Sequence, residues 1–255
     1  MNARAFRHVG VRRVGAAAAV TSLALLLTAC GGEEKKTEDT GKADASASAA
    51  AKPDVKALPA AELEKLVVEQ ADLKGYQVKK TEAADVLNAG DVSADKAACE
   101  PLAEAFASAA PGTPGASAHR RAIQVPDKKT GSLDDALGAL AAPITSVTLG
   151  SYAGEGAQQA FASLKAAGTA CAGGFTAHGG GTTHKVSKVT PETLTAGDEA
   201  LAWTIKSENE GESFVTKLVV LRKGNNLAGF STLSLAGEVK EQPTAVIDAQ
   251  AAKLR

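Results

Sequence analysis

The chain has 255 residues, a formal net charge of −1, and a composition that is 44% hydrophobic but only 4% aromatic. Four of its 28 basic residues (Arg4, Arg7, Arg12 and Arg13) precede Cys30, which leaves 24 basic against 29 acidic residues and a net of −5 for the rest. That balance removes any electrostatic basis for general nucleic-acid binding, and no later run reaches the ~18 apolar residues of a membrane-spanning helix.

Residues 1–13 form a basic region and residues 14–29 carry no charge, the pattern of a signal peptide with a short apolar segment. It ends in Leu27-Thr28-Ala29-Cys30, a bacterial lipobox with small residues at the cleavage site. The expectation is diacylglyceryl transfer to the Cys30 thiol, cleavage after Ala29, and attachment to the membrane through lipid on Cys30, at its extracytoplasmic face. The alternative is an uncleaved signal anchor in which Cys30 is incidental. Arg12-Arg13 raises twin-arginine export, but the following Val-Gly-Ala lacks the bulky pattern, which favours the general secretory route. Residues 30–59 are rich in Gly, Ser, Ala, Lys, Glu and Asp and too poor in large apolar side chains to offset ordering entropy. They are expected to form a flexible tether with a reach of roughly 30 Å.

Residues 60–255 are then one extracytoplasmic domain. Leu63, Leu66, Val67 and Gln70 predict a short amphipathic helix over 60–70, a turn follows at 72–75, and 76–78 is extended. Cys99, Leu102, Ala103 and Phe106 share one helical face, with Pro101 acceptable only in the first turn. Strands are predicted at 118–125 and 144–152, and Leu133, Leu137 and Leu140 stand at helical spacing between them. The clearest helix runs from Glu155 to Cys171, stopped by Gly173-Gly174. Strands follow at 184–189, 200–206, 214–222 and 227–235, the last two joined by a hairpin at 223–226. Val246, Ile247, Gln250 and Leu254 predict a closing helix. The sum is an α+β fold with a largely antiparallel sheet packed with helices.

With Cys30 lipidated, Cys99 and Cys171 are the remaining cysteines, 72 positions apart. Outside the cytoplasm such a pair is expected to form a disulfide; two buried free thiols are the alternative, and a zinc site would lack ligands. His178 and His184 flank three glycines, and His119 lies in a predicted strand. A metal held by His178 and His184 lacks a third ligand, so a polar loop is the plainer reading. There is no nucleophile elbow, zinc-protease helix or phosphate loop. Asp134-Asp135 and Glu208, Glu210 and Glu212 fall on turns, and Trp203 in a strand reads as core. No metal, cofactor or catalytic residue is assigned.

Several segments carry a resemblance: Ala71-Asp72-Leu73-Lys74-Gly75-Tyr76, Ala98-Cys99-Glu100-Pro101-Leu102, the helix ending at Cys171, Gly197-Asp198-Glu199-Ala200, Val219-Val220-Leu221-Arg222-Lys223-Gly224-Asn225, and Ala249-Gln250-Ala251-Ala252-Lys253-Leu254. In this order they resemble actinobacterial lipoproteins related to the PknH-like extracellular sensor domain, which is otherwise found outside membrane-anchored serine/threonine kinases. The resemblance implies an antiparallel sheet with packed helices and a groove for an unidentified extracellular ligand. It departs in having cysteines for one disulfide where the family domain has two, and in lacking a kinase domain, so signalling is not carried over. The expectation is a non-catalytic, sensor-like binding domain of the cell envelope, whose partner is a small ligand or an envelope protein. A lipid carrier with an apolar cavity and an envelope enzyme are the alternatives.

Overall fold

β-Branched and aromatic runs pair into one antiparallel sheet, while Ala- and Leu-rich segments coil into helices laid on both of its faces. The computed structural model describes residues 55–126, 138, 141–235 and 238–254. In chain order the elements are α1 (Ala60–Leu66), β1 (Tyr76–Lys80), β2 (Val92–Ala94), α2 (Glu100–Phe106), β3 (Ala116–Gln124), β4 (Ile144–Ser151), α3 (Gly156–Ala170), β5 (Phe175–Gly179), β6 (Thr182–Glu192), β7 (Glu199–Asn209), β8 (Glu212–Lys223), β9 (Asn226–Leu233) and α4 (Thr244–Lys253). The strands form a nine-stranded sheet in the order β1-β3-β4-β9-β8-β7-β6-β5-β2. Its pairings are antiparallel, as the α+β reading requires. The signal peptide, Cys30, the tether up to residue 54, Asp134-Asp135 and the leucines at 133, 137 and 140 lie outside the described residues.

The central strands of the sheet are buried on both sides. Leu218 and Val220 of β8 point to one face, where they meet Leu102, Ala103, Phe161 and Leu164 of α2 and α3. Val219 and Leu221 point to the other, where they meet Leu63 of α1 and Val246 and Ile247 of α4. A strand covered on both faces reads as a continuous apolar run, and Leu218–Leu221 is one. Aromatic side chains are unevenly shared: Tyr152, Phe161, Phe175 and Trp203 are buried on the α2/α3 face, and Phe230 on the other. Small residues let the layers approach. At Gly168 of α3 a Cβ would sit 2.6 Å from Trp203 Nε1, so the indole occupies the space a side chain would need.

Two departures from the sequence reading have simple causes. The first helix stops at Leu66, because Val67 and Val68 turn extended to bury fully against α4, and the Val68 N–H donates to Gln250 Oε1 (3.0 Å). Gln70, expected on the helical face, is exposed and instead accepts from the Val78 N–H. The glycine-flanked stretch around His178 is not a loop but the β5–β6 hairpin, turning at Gly180-Gly181, both with positive φ.

Residues of the six segments quoted from the sequence meet in pairs. Cys99, just ahead of α2, is bonded to Cys171, just past α3, with Cα atoms 5.8 Å apart. Asp72 accepts from Lys253 at 2.7 Å, joining the segment before β1 to the end of α4. Asp198 accepts from the Gly224 N–H (2.8 Å) and Lys223 (2.9 Å), bracing the β8–β9 turn, and Arg222 pairs with Glu199. These segments are stitches of the fold.

The chain enters this unit already docked. The Gly154 N–H donates to Val55 O (2.7 Å), Asn225 Nδ2 to Lys56 O (3.3 Å), and the Leu58 N–H to Ser151 Oγ (3.0 Å). All three contacts lie at the Ser151 end of β4.

Candidate binding groove

Helix α2 has seven residues, too few to roof the whole sheet face on which it lies. It ends after Phe106, where Ser108 takes a positive φ of 61° and the chain turns away. Its last carbonyls are satisfied by sheet hydroxyls: Ser231 Oγ donates to Phe106 O (3.2 Å) and Thr148 Oγ1 to Ser108 O (2.7 Å). Beyond this end the sheet is bare, leaving a groove of about 440 Å³. Thr216, Ser231 and Leu233 of the central strands form its floor. The tip of the β5–β6 hairpin and Leu87 wall it, and Arg121 and Asp85 bring opposite charges to it. Phe106 meets the edge of His184 with ring centroids 5.5 Å apart and planes at 80°.

His184 is the titratable group most enclosed here. Its Nε2 lies 3.4 Å from Thr182 Oγ1, while Nδ1 is buried without a partner. Burial pushes the imidazole below its ordinary range, so the ring is neutral at neutral pH. His178 cannot join it on a metal. In the hairpin register His184 stands opposite Ala177 and His178 opposite Thr183, which places the two imidazoles on opposite faces of the ribbon. His178 Nδ1 is 3.0 Å from Thr183 Oγ1. Among the described residues no cluster of three or more His, Cys, Asp or Glu could hold a metal ion.

His119 lies in β3, as its sequence predicts, with Nε2 3.0 Å from Ser117 Oγ and Nδ1 3.3 Å from Thr148 Oγ1. Burial lowers its pKa, against the pull of nearby Glu64. Trp203 is core, 4% exposed beneath α3. Glu210 lies on the Glu210-Gly211 turn as expected, but Glu208 and Glu212 are not turn residues: they pair within β7 and β8, opposite Ser213 and Asn209. Of the candidate functional residues weighed in the sequence, His178 and His184 are the ones among the described residues that border the groove. Phe106, Arg121, Thr216 and Ser231 were missed as a group, because they come from four separate elements. The one available signal was the paired alternation of Phe175/Ala177 and His184/Val186 about two glycines, which marks a hairpin tip.

Among the described residues no helix is long and apolar enough to cross a membrane. No family model matches the chain. No curated protein matches it either. Among solved structures the chain is similar to the extracellular domain of PknH from Mycobacterium tuberculosis, with a TM-score of 0.48 and 10% identity, covering 78% of this chain and 97% of that one, a weak likeness of fold.

Proposed function

We propose that the chain is a lipoprotein anchored through Cys30 at the extracytoplasmic face of the membrane, and that its folded part is a non-catalytic binding domain taking a small ligand in the groove beyond α2. The observation that carries the ligand reading is the groove itself, about 440 Å³, within the range of small-molecule sites. Its floor hydroxyl at Ser231 is spent on holding the end of α2, and its histidine has a threonine hydroxyl at 3.4 Å as hydrogen-bond neighbour. Such groups orient a ligand and offer no activated nucleophile. Mixed charge and hydroxyls on an open floor also differ from the enclosed apolar cavity a lipid carrier needs.

A thermal-shift screen of metabolites and envelope extracts, run on the native chain and on Ala107→Trp, tests this. Ala107 lines the groove, half-buried, and an indole there fills it. Ligands that raise the melting temperature of the native chain and not of the variant are expected. A screen without stabilising compounds, or with compounds that stabilise both equally, would count against the groove.

A further inference from the structure

Three polar side chains at the groove beyond α2 find no partner within the chain. Thr216 of β8 stands on the floor, 2% exposed, in a sheet row whose other members, Ile205, Leu233 and Ile144, are apolar. No described residue takes its hydroxyl hydrogen, and its Oγ1 is not one of the unpartnered atoms sealed from solvent. The little surface it keeps therefore opens on the groove. A hydroxyl so enclosed needs an acceptor, and water or a ligand in the groove supplies it. Arg121 of β3 and Asp85, which ends the turn Ala83–Asp85, border the same groove. Both are exposed, and among the described residues neither makes an ion pair or a side-chain hydrogen bond, with the other or with anything else. Arg120, Lys217, Arg222 and Lys253, by contrast, are each paired with a carboxylate.

Opposite charges at one opening, held apart, suit an occupant that carries both. An anion alone would meet Asp85, a cation alone would meet Arg121, and a neutral saccharide would draw on neither charge. A free amino acid bears its two charges on one carbon, whereas Arg121 and Thr216 lie on strands three spacings apart, about 14 Å. A peptide of about two or three residues fits the volume of about 440 Å³, brings amide carbonyls as acceptors, and lays its side chains on Phe106, Leu87 and Leu233. We infer that the groove takes a short zwitterionic peptide, its carboxylate on Arg121, its ammonium on Asp85 and a carbonyl oxygen accepting from Thr216. This rests on the groove being a ligand site and names the class of its occupant.

Saturation-transfer NMR of the full chain in deuterated detergent tests it, with alanyl-leucine and leucyl-alanine as probes beside their N-acetyl and C-terminal amide forms. At least one free dipeptide is expected to bind below about 10 mM, and each of its capped forms about fivefold more weakly, the worth of one exposed charge pair. Arg121→Gln should weaken the free and acetylated peptides but not the amide. Asp85→Asn should weaken the free peptide and the amide but not the acetylated form. Both substitutions are at exposed positions and leave the fold intact. Ala107→Trp, which fills the groove, should remove all binding. Silence from both free dipeptides at about 10 mM, or capped forms that bind as well as free ones, overturns the peptide assignment; ligands from the thermal-shift screen that Ala107→Trp excludes would then leave the groove itself standing. Dipeptide binding that survives Ala107→Trp overturns its placement here.

Discussion

Lys217 shows how a single side chain is held in place by its neighbours. Its side chain is 9% exposed, and its charge is answered by Glu192, whose side chain is 27% exposed. Burial works to raise the Glu192 carboxyl, but hydrogen bonds from Lys217, Thr204 and Gln242 outweigh it and hold it below the usual range. Removing one partner strands the other, so Lys217→Ala or Glu192→Leu alone should cost about 2–4 kcal/mol, less than for a fully buried pair because Glu192 keeps some water. The double variant Lys217→Met/Glu192→Leu should recover most of that loss in urea denaturation. The histidines set an earlier acid limit. His119 and His184 are both depressed by burial from an ordinary value of 6.5. The unfolded chain therefore takes up protons first, and stability is present above that value and lost as pH falls through the folded values. Glu64 and Glu192 act in the same sense from 4.5 downward, with Glu104, raised by burial, opposing them. The urea midpoint should begin to fall below about pH 6.5 and steepen below about 4.5. The double variant His119→Asn/His184→Gln should abolish the first step only.

At the scale of elements, helix α3 is positioned by a missing side chain at one point and by a covalent bond at another. Alanine is normally the better helix residue by about 1 kcal/mol, yet at Gly168 its Cβ would press on the Trp203 ring. Gly168→Ala should therefore destabilise by about 1–2 kcal/mol and shift Trp203 fluorescence, a reversal of sign that helix propensity alone excludes. The Cys99–Cys171 bond closes a 72-residue loop and ties α2 to α3. Breaking it with Cys99→Ala/Cys171→Ala should cost about 4 kcal/mol in the chain-entropy picture, read from the denaturant midpoint under oxidising conditions. Helix α4 was legible from Val246, Ile247 and Gln250, all buried on it, while Leu254 is buried just past its end. Helix α1 was over-extended because Val67 and Val68 keep an apolar pattern after the backbone has left the helix. Strand β2, three residues long, is too short for periodicity to register, and β5 was hidden by its glycines. In β8 alternation carries no inward or outward sense, because helices cover both faces. Thr204, Lys217 and Thr232 therefore look in sequence like solvent positions.

For the molecule as a whole, the sequence announces its architecture better than its openings. The six segments quoted from the sequence are joined through Cys99–Cys171, Asp72–Lys253 and Asp198 with the β8–β9 turn. They report how the fold is fastened and not what it holds. The groove draws on residues from Leu87 to Leu233, and such a gathering has no local signature. The anchoring proposal is tested at this scale too. In cell fractionation Cys30→Ala should release the protein from the membrane fraction and abolish metabolic labelling with fatty acid, whereas retention of both would refute it.

The docked strip from Val55 to Leu58 has a geometric consequence. It meets the sheet beside Ser151, whereas Ser231, Leu233, Thr145 and Thr232 sit near the other tip of the same two strands, β4 and β9. Strand β4 runs seven residue steps from one tip to the other, about 23 Å at 3.3 Å each. On the proposed anchoring through Cys30, a pull along the chain would arrive at Val55–Leu58, at one pole of the sheet, and the groove floor lies toward the other.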